Sequence, residues 1–464
     1  MSSHNHNIYQ SPLAERYAND DMLNNFSADK KFRTWRTIWI ALAESEKELG
    51  LGITQSQITE LKKFRDRINY SRAEKYEQSL QHDVMAHIKA YGDQCPKAKP
   101  IIHLGATSAL VVDNTDLIIA RDGIKILRQK LLNVIDALAQ FAERYKNQPV
   151  MGFTHFQPAL ITTAGKRATL WLQDLLMDLT NMEFIESNIK CLGAKGAIGT
   201  QASFLKLFNN NIAKVRKLDR IFARKLGFND AYPVTGQTYS RKLDYQIAGV
   251  LSGIAQSVHK FSNDLRLLQG LGEMSEPFGT KQVGSSAMAY KRNPIKSERL
   301  AALARFVIVN TQNTAFTAAQ QWLERTLDDS ANKRLVIPEV FLATDALLNL
   351  YLTITKGLKI YPAIIQKHID ENLPFLITEQ IMMEKAGKGS DRQSLHERVR
   401  QLSMEATEQI MQGKPNDLIS RIRKDPLLSS ALPDSINASD YIGLSKQQTE
   451  YFLRQYVKPI LRKR

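Results

Sequence analysis

The chain contains few of the residues that break regular structure or cross-link a fold. Its 464 residues include 23 glycines and 15 prolines, about 8% of the chain against an average usage of roughly 12%. So few turn formers favour long helices over many short strands. The two cysteines, Cys95 and Cys191, are too few for a disulfide framework and are typical of a reducing compartment.

The sequence also lacks a segment directed to a membrane. The N-terminal stretch reads MSSHNHNIYQSPLAERY and has no apolar core of a signal peptide. No run reaches the roughly 18 uncharged apolar residues that a membrane span requires. Hydrophobic residues make up 43% of the chain, which excludes general disorder. We therefore expect a cytoplasmic globular protein of roughly two to four domains.

Basic residues outnumber acidic ones, with 63 Lys and Arg against 47 Asp and Glu and a formal charge of +16. This surplus indicates an anionic partner: nucleic acid, an anionic membrane surface, or a small phosphate or carboxylate substrate. Composition does not choose among them. A binder of nucleic acid would gather its cations with interleaved aromatic residues. The sequence has no such linear cluster, so we do not expect nucleic acid as partner, and without a candidate span we do not expect a membrane.

Apolar residues recur at three- and four-residue intervals through much of the chain. This period is that of amphipathic helices, and several stripes exceed the usual helix length of about 11–12 residues. The predicted helices cover residues 32–49, 55–68, 117–145, 162–190, 239–271, 297–323 and 338–359. Long helices need partners for their apolar faces, so we predict an all-α fold built on a helical bundle. The predicted domains are an N-terminal helical domain at 1–107, a central long-helix bundle at 108–360 and a small C-terminal helical domain at 361–464.

Three loops interrupt the helical pattern and collect small polar and titratable residues, at 103–108, 152–158 and 270–294. Loops at the ends of rigid bundles commonly carry function. His155, in the second loop, has the side chain best suited to proton transfer near neutral pH. A single histidine is nevertheless more often a packed or solvated residue than a catalyst. Glu298 could orient an imidazole, and it is equally a favourable first-turn acid of a helix.

The longest loop ends in a cationic stretch before a predicted helix start. Gly284 can let the backbone approach a ligand closely, and Ser285 follows it directly. Lys291 and Asn293 then precede Pro294, a favoured residue of a first helical turn. Exposed amides at a helix start, beside cations and an amide side chain, suit a carboxylate ligand. An ordinary solvated basic linker fits the same composition.

The three loops together resemble a known family. GSSAMAYKRNP is similar to the GSSxMxxKxNP signature of the fumarase/aspartase superfamily of lyases, THFQPA to its histidine loop, and HLGATS to its threonine-serine loop. Further segments narrow the resemblance to the adenylosuccinate lyase branch, in the form found in animals; they read SPLAERY, QHDVMAH, VTGQTYSRK and ERTLDDSANKR. The resemblance runs from about Ser11 into the C-terminal domain.

This resemblance implies a three-domain all-α fold whose central helices join into the core of a homotetramer, with each active site shared between subunits. It implies β-elimination of fumarate from two nucleotides of purine biosynthesis: adenylosuccinate, giving AMP, and SAICAR, giving AICAR. It implies neither a cofactor nor a metal. His82 and His87 also lack the companion ligands of a metal site. The implied partners are therefore small nucleotide substrates and further copies of the chain.

The resemblance also assigns roles to individual residues. Ser285 is the implied general base, and the loop amides and the charge of Lys291 would stabilise its alkoxide. Lys291 and Asn293 would hold the carboxylate beside the developing carbanion. His155 would protonate the leaving nitrogen, oriented and kept basic by Glu298.

The remaining implied residues bind substrate. The succinyl carboxylates and the base would be hydrogen-bonded by Thr107, Ser108, Thr154 and Gln237. Arginine suits phosphate because its planar fork donates two parallel hydrogen bonds. The nucleotide end would be bound by Arg16, Tyr17, Arg299, Arg325, Ser330 and Arg334. The match also places His82, Asp83 and His103 beside the substrate. Ser330 serves equally well as a helix N-cap.

Two positions depart from the family pattern. Gln81 stands where an arginine usually precedes the histidine-aspartate pair, and Ala289 stands where the signature usually has proline. The second change leaves the loop less constrained. Neither change removes a group that transfers a proton, so activity is expected. The alternatives are another lyase of the superfamily, such as an argininosuccinate lyase-like enzyme, and a non-catalytic helical scaffold descended from the enzyme.

Overall fold

The protein is described here by a computed structural model that covers residues 7–462. The first part of the chain forms a π-helical turn at Leu13–Tyr17 and then five helices. They are α1 (Asp20–Asn25), α2 (Ala28–Glu48), α3 (Gln55–Phe64), α4 (Tyr70–Leu80) and α5 (Asp83–Gln94). Side-chain hydrogen bonds cap the N-termini of several of these helices. The Ser27 hydroxyl accepts a hydrogen bond from Lys30 N at 3.1 Å, and Thr54 forms a reciprocal capping box with Gln57.

Long helices follow, and all five that the sequence predicts in this region form. The helices are α6 (Ala109–Arg144), α7 (Ala164–Asn188), α8 (Ala202–Leu207), α9 (Ile212–Lys225), α10 (Lys242–Gly270), α11 (Ile295–Ala319) and α12 (Asp329–Lys356). The predicted start of the last one at residue 338 is wrong, because Pro338 lies inside α12. The first turns of α12 carry polar residues such as Asn332 and Lys333, so no apolar stripe marks them.

A β-hairpin interrupts the helices between α6 and α7. Strands β1 (Pro149–Thr154) and β2 (Gln157–Thr163) pair antiparallel, with Thr154 opposite Gln157. The two residues of the turn, His155 and Phe156, have φ angles of 53° and 57°. Positive φ at both turn residues matches the right-handed twist of the flanking strands. The segment expected to be a plain loop is therefore the tip of a β-hairpin.

The rest of the chain adds a second short strand pair and six helices. Strand β3 (Met274–Ser275) pairs antiparallel with β4 (Lys359–Ile360). The helices are α13 (Pro362–Leu376), α14 (Thr378–Gly387), α15 (Arg392–Met411), α16 (Leu418–Lys424), α17 (Ser445–Phe452) and α18 (Lys458–Arg462). The helical content and the scarcity of strands confirm the all-α prediction.

The chain divides into two compact units, each assembled from three segments. Unit 1 contains the chain up to Leu131, Asp178–His259 and Ala301–Asn349. Its largest fully buried side chains include Trp35, Trp39, Tyr91, Phe204 and Phe222. Unit 2 contains Leu132–Met177, Lys260–Leu300 and the chain from Leu350 onward. Its buried cluster includes Val150, Ile161, Ile369, Ile377, Leu418 and Ile422. The three-domain boundaries at 107 and 360 stay a prediction.

Helix α12 is the one described helix that is long and apolar enough to cross a membrane. Of its most apolar stretch, 56% is buried inside the protein. The core helix of a soluble protein has the same length and composition, so this property alone is weak evidence for a span.

Candidate active site

The histidine-aspartate pair predicted to touch substrate lies at the junction of α4 and α5 in unit 1. Gln81 ends α4 with a left-handed φ of 50°. His82 then caps α5, and its Nδ1 accepts a hydrogen bond from Met85 N at 3.4 Å. The other ring nitrogen, Nε2, lies 3.4 Å from Ser108 Oγ. His82 therefore bridges the start of α5 and the start of α6.

Thr107 and Ser108 end the threonine-serine loop at the first turn of α6. The Thr107 carbonyl accepts a hydrogen bond from Leu110 N at 2.9 Å, and the Ser108 carbonyl accepts one from Val112 N at 3.1 Å. Both residues border a cavity of about 530 Å³. Seven predicted substrate-binding residues line this cavity: His82, Asp83, Thr107, Ser108, Gln237, Arg325 and Arg334. Within unit 1, the structure therefore brings together half of the predicted substrate-binding set.

Gln237 and two arginines enter this cavity from other segments of unit 1. The backbone N–H of Gln237 donates to Glu324 O at 3.0 Å, and its side chain donates to Ala197 O at 2.9 Å. Arg334 Nη2 lies 3.6 Å from Asp83 Oδ2, and its side chain is 65% exposed. So exposed an ion pair is weak, which leaves Arg334 available to an incoming anion.

Arg325 is held by a buried ionic chain that the sequence did not indicate. Its Nη1 donates to both carboxylate oxygens of Asp329, at 2.9 and 3.0 Å. Asp329 also accepts from Arg241 Nε at 2.6 Å, and Arg241 Nη1 donates to Asp113 at 2.8 Å. Burial opposes ionisation of Asp329, but the two guanidinium groups outweigh it and lower the pKa of this carboxyl. Arg325 is therefore fixed by its ion pair with Asp329 rather than left as a free surface side chain.

Lys333 extends the same ionic cluster along α12. Its Nζ donates to the Tyr239 hydroxyl at 2.9 Å and to Asp116 at 3.1 Å, and it lies 3.4 Å from Asp244. Burial opposes the charge of Lys333, but Asp244 and the other acidic neighbours raise the pKa of this amine. Ser330, one helical turn before, lines a smaller cavity of about 220 Å³ together with Arg325, Lys333 and Arg334. Ser330 is the second residue of α12, so it lies within the first helical turn and is not the N-cap that the sequence allowed.

Three other predicted residues of unit 1 lie outside the linings of these two cavities. His103 has a left-handed φ of 69°, and its Nδ1 accepts from Trp39 Nε1 at 2.9 Å. Burial lowers the pKa of His103 to about 4, so this ring is neutral near neutral pH. Arg16 and Tyr17 lie on the Leu13–Tyr17 turn, where Arg16 is exposed.

The predicted acid lies in unit 2, at the tip of the β1–β2 hairpin. Thr154, His155 and Phe156 are all exposed there. The Phe153 and Phe156 rings pack with their centroids 5.6 Å apart. The exposed tip of the hairpin therefore presents the imidazole of His155 outward.

The signature loop, residues 277–294, folds back on itself in unit 2. The Ser285 hydroxyl oxygen accepts hydrogen bonds from the backbone N–H groups of Ala287, at 3.3 Å, and Met288, at 3.1 Å. Asn293 Nδ2 donates to Gly284 O at 2.9 Å. A Cβ atom at Gly284 would lie 2.1 Å from Lys291 O, so the close approach permitted by this glycine is to the loop's own backbone.

Glu298 and Arg299 lie on the first turns of α11, and both are exposed. The backbone N–H of Glu298 donates to Pro294 O at 2.9 Å, which places Glu298 within the start of the helix. Among residues 7–462 of one chain, no hydrogen bond or ion pair joins Glu298 to His155. The predicted orientation of the imidazole by this carboxylate is therefore not formed within a single chain.

Comparison with known proteins places the fold in a class. Residues 17–309 match the family described as Lyase. The chain superposes on a 3-carboxy-cis,cis-muconate lactonizing enzyme from Pseudomonas putida with a TM-score of 0.84 at 20% identity, covering 98% of this chain and 100% of that one. A fumarate lyase from Mesorhizobium sp. BNC1 gives a TM-score of 0.83 at 22% identity, covering 97% and 100%. The fold is that of the fumarase/aspartase superfamily of lyases.

Proteins of higher sequence identity to this chain identify its family within the superfamily. Residues 374–452 match the family described as adenylosuccinate lyase C-terminus. The adenylosuccinate lyase of Saccharomyces cerevisiae is 46% identical over 460 residues, which covers 98% of this chain and 95% of the yeast protein. The adenylosuccinate lyase of Schistosoma mansoni is 46% identical over 459 residues, with 98% and 96% covered. The chain belongs to the adenylosuccinate lyase family, and this assignment decides against an argininosuccinate lyase-like enzyme.

Proposed function

We propose that the protein is a carbon–nitrogen lyase of purine nucleotide biosynthesis that acts in the cytoplasm. It removes fumarate by β-elimination from adenylosuccinate, giving AMP, and from SAICAR, giving AICAR. The observation that carries this proposal is the 46% identity, over nearly the whole length of both chains, to adenylosuccinate lyases. The contacts within the signature loop support it independently of that similarity.

Ser285 is the general base in this proposal. A serine hydroxyl is a very weak acid in water, so its deprotonated form has to be stabilised by the site. The two backbone N–H groups that point at Ser285 Oγ supply such stabilisation, since donors aimed at a developing negative charge need no reorganisation. The cationic side chain of Lys291, six residues further on, adds favourable charge to the same loop.

Lys291 and Asn293 hold the carboxylate next to the carbon that loses its proton. Negative charge develops on this carboxylate in the transition state, where a cation and an amide donor stabilise it most. The hydrogen bond from Asn293 to Gly284 O keeps both residues in one folded loop with Ser285. The base and the carboxylate-binding groups thus share a single structural support.

His155 is the general acid that protonates the departing nitrogen. Its exposed place at the hairpin tip suits a group that reaches into a site formed with other chains. Glu298 orients this imidazole from a different subunit, in keeping with the lack of such a contact among the described residues of one chain. A base and an acid in opposite protonation states then suit an anti elimination.

The two cavities of unit 1, whose linings share Arg325 and Arg334, receive the nucleotide. Arg325, Ser330 and Arg334 bind its phosphate, because a helix start and two guanidinium groups favour a dianion. His82 and Asp83 position the substrate beside them. The succinyl carboxylates are bound by Thr107, Ser108, Thr154 and Gln237. Arg16, Tyr17, His103 and Arg299 complete the proposed binding set.

The active form is a homotetramer whose sites combine residues of different subunits. Leu170, Met177 and Phe184 follow one another at seven-residue spacing on α7, yet they are 50%, 58% and 66% exposed. Val309 and Phe316 on α11 are likewise seven residues apart and 66% and 65% exposed. Such apolar stripes on long helices support association with further helices. Light scattering that finds an active monomer would refute the shared-site proposal.

Two substitutions test the proposed chemistry. Ser285→Ala and His155→Ala should each lower kcat for adenylosuccinate by about a thousandfold, within the range typical of losing a general base or acid. Calorimetric titration with AMP and size-exclusion chromatography should show nucleotide binding and the tetramer retained. Ser286→Ala, a change at the exposed neighbouring serine, serves as the control and should keep near-normal turnover. Near-normal turnover in either main variant would overturn the assigned roles.

A further inference from the structure

The first turn of α11 is capped by a side chain that lies immediately before the signature loop. Glu276 is 2% exposed. Its Oε1 accepts a hydrogen bond from Lys296 N at 3.0 Å. Its Oε2 accepts from Ser297 N at 2.8 Å and from Ser297 Oγ at 2.8 Å. One carboxylate therefore satisfies three donors at the start of this helix.

The chain itself supplies no local substitute for this cap. The residue before the first turn is Pro294, which has no side-chain acceptor, and the first N–H groups of a helix have no partner within it. A carboxylate at a helix N-terminus is favoured by the helix dipole as well as by its hydrogen bonds. Glu276 thus fills a requirement that other helices meet with a Ser, Thr or Asp N-cap.

Further contacts close the loop at the same point. Lys296 Nζ donates to Pro277 O at 2.8 Å and to Gln282 Oε1 at 3.1 Å. The Gln269 side chain accepts from Glu276 N at 3.2 Å and donates to Arg292 O at 2.9 Å. The two ends of the loop are therefore tied together, and Glu276 is the buried charged group of this junction.

The residues proposed for catalysis lie immediately on either side of this junction. Asn293 precedes Lys296 by three residues, and Glu298 directly follows Ser297. Ser285 is linked to the same region through Gly284, whose carbonyl accepts from Asn293. A shift of the first turn of α11 would move Asn293 and Glu298 together. Misplacement of reacting groups by about 1 Å can cost about a hundredfold in rate.

We propose that Glu276 is a positioning residue for the elimination reaction, which holds the signature loop and the start of α11 in the geometry that the reaction requires. This inference rests on the proposed function. Glu276 does not touch substrate in this account. It acts through Ser297 and Lys296, and so on the placement of Asn293, Glu298 and the loop that carries Ser285.

The test compares Glu276→Gln with Asp425→Asn. Asp425 is 4% exposed, accepts from the backbone N–H groups of Leu427 and Leu428, and pairs with Arg398, away from the signature loop in the sequence. Both variants lose a buried carboxylate that caps backbone donors, so both should lower the Tm. Glu276→Gln alone should also lower kcat, by about ten- to a hundredfold, while KM changes by less than about threefold.

A second readout does not depend on activity. Lys281, Lys291 and Arg292 are exposed in the signature loop and are sites for trypsin. Limited proteolysis with mass spectrometry should show cleavage at these sites at least about tenfold faster in Glu276→Gln. Without its cap, the loop is released from the start of α11 more often and is then open to the protease. Asp425→Asn should cleave there at the wild-type rate. If wild type has no lyase activity, the proposed function fails, and the cleavage rates still decide whether Glu276 holds the loop.

Ser297→Ala provides a milder variant in case Glu276→Gln does not fold. It removes one of the three donors to the carboxylate and keeps the backbone contacts. Like Glu276→Gln, this variant should lower kcat and speed cleavage of the loop. Each change should be about two- to fivefold, which corresponds to the loss of one hydrogen bond. The proposal would be overturned if Glu276→Gln kept both the wild-type kcat and the wild-type rate of loop cleavage. If only Ser297→Ala folds, the same result in that variant would overturn it. Equal effects in Asp425→Asn would also overturn it, since they would show a general loss of stability.

Discussion

A carboxyl group buried without a partner makes the stability of this protein depend on pH. Glu46 lies on α2 with 0% of its surface exposed. Within the described residues, neither of its carboxylate oxygens has a hydrogen-bond partner. Burial raises the pKa of this carboxyl from 4.5 to about 8, because an unpaired charge is strongly disfavoured in the interior. Glu46→Gln keeps the size of the side chain and removes the titration.

The direction and size of the effect follow from these two values. The unfolded chain ionises Glu46 above about pH 4.5, whereas the folded protein keeps it neutral up to about pH 8. Wild type therefore loses stability as the pH rises between them, by ~5 kcal/mol in all at about 1.4 kcal/mol per pH unit. About 4 kcal/mol of this loss falls between pH 5 and pH 9. The unfolding entropy is about 2.1 cal/mol/K per residue, and the chain has 464 residues. Dividing the loss of about 4 kcal/mol by this total entropy gives a Tm difference of about 4 °C.

Differential scanning calorimetry at a series of pH values from about 5 to 9 measures this effect. The Tm of Glu46→Gln minus that of wild type should rise by about 4 °C across the series. Glu48→Gln is the control, because Glu48 is 51% exposed and pairs with Lys225, and its difference from wild type should stay nearly constant. Equal pH dependence of Tm in wild type and Glu46→Gln would refute the reasoning, since it would mean that Glu46 does not resist ionisation in the folded protein.

Two further substitutions have sharp expectations. Gly284→Ala should lower turnover at least tenfold, because its Cβ would lie 2.1 Å from Lys291 O. Gly279→Ala is the control, because its Cβ would meet only the Gln282 side chain, at 3.5 Å. It should keep normal rates in the same assay. Arg241→Met leaves Asp113 and Asp329 buried without their shared cation, so denaturant titration should show a loss of about 3–5 kcal/mol. Arg400→Met breaks an exposed pair with Glu397 and should leave the unfolding midpoint nearly unchanged, because exposed pairs contribute little. Equal shifts of the midpoint in the two variants would contradict the account.

The sequence was most informative where local periodicity decides the structure. The apolar stripe beginning at Leu117 predicts a long helix, and α6 covers it from Ala109 to Arg144. The β1–β2 hairpin was missed although Val150, Ile161 and Thr162 carry a strand signal. Its two-residue turn is His155-Phe156, which lacks the Asn-Gly or Asp-Gly sequence that marks such turns. The strained turn thus coincides with the residue proposed as the acid, where function rather than local propensity sets the sequence.

Contacts between distant segments could not be predicted in this way. Arg241 and Asp113 are 128 residues apart in the chain, and Glu276 and Ser297 are 21 apart. Each is an unremarkable charged or polar residue in its own segment, and only the fold brings the partners together. The motif resemblance placed His82, Ser108 and Arg325 in one set, and the cavity of unit 1 unites them. The ionic support beneath Arg325 became visible only in the structure.

The central claim is most directly tested by the reaction of the purified wild-type protein with adenylosuccinate. Ultraviolet absorbance follows the loss of substrate, and chromatography quantifies the two products. We predict that AMP and fumarate appear in equal amounts and that the rate scales with the concentration of tetramer. No turnover at any pH between about 6 and 9, the range in which a histidine acid can operate, would contradict the account.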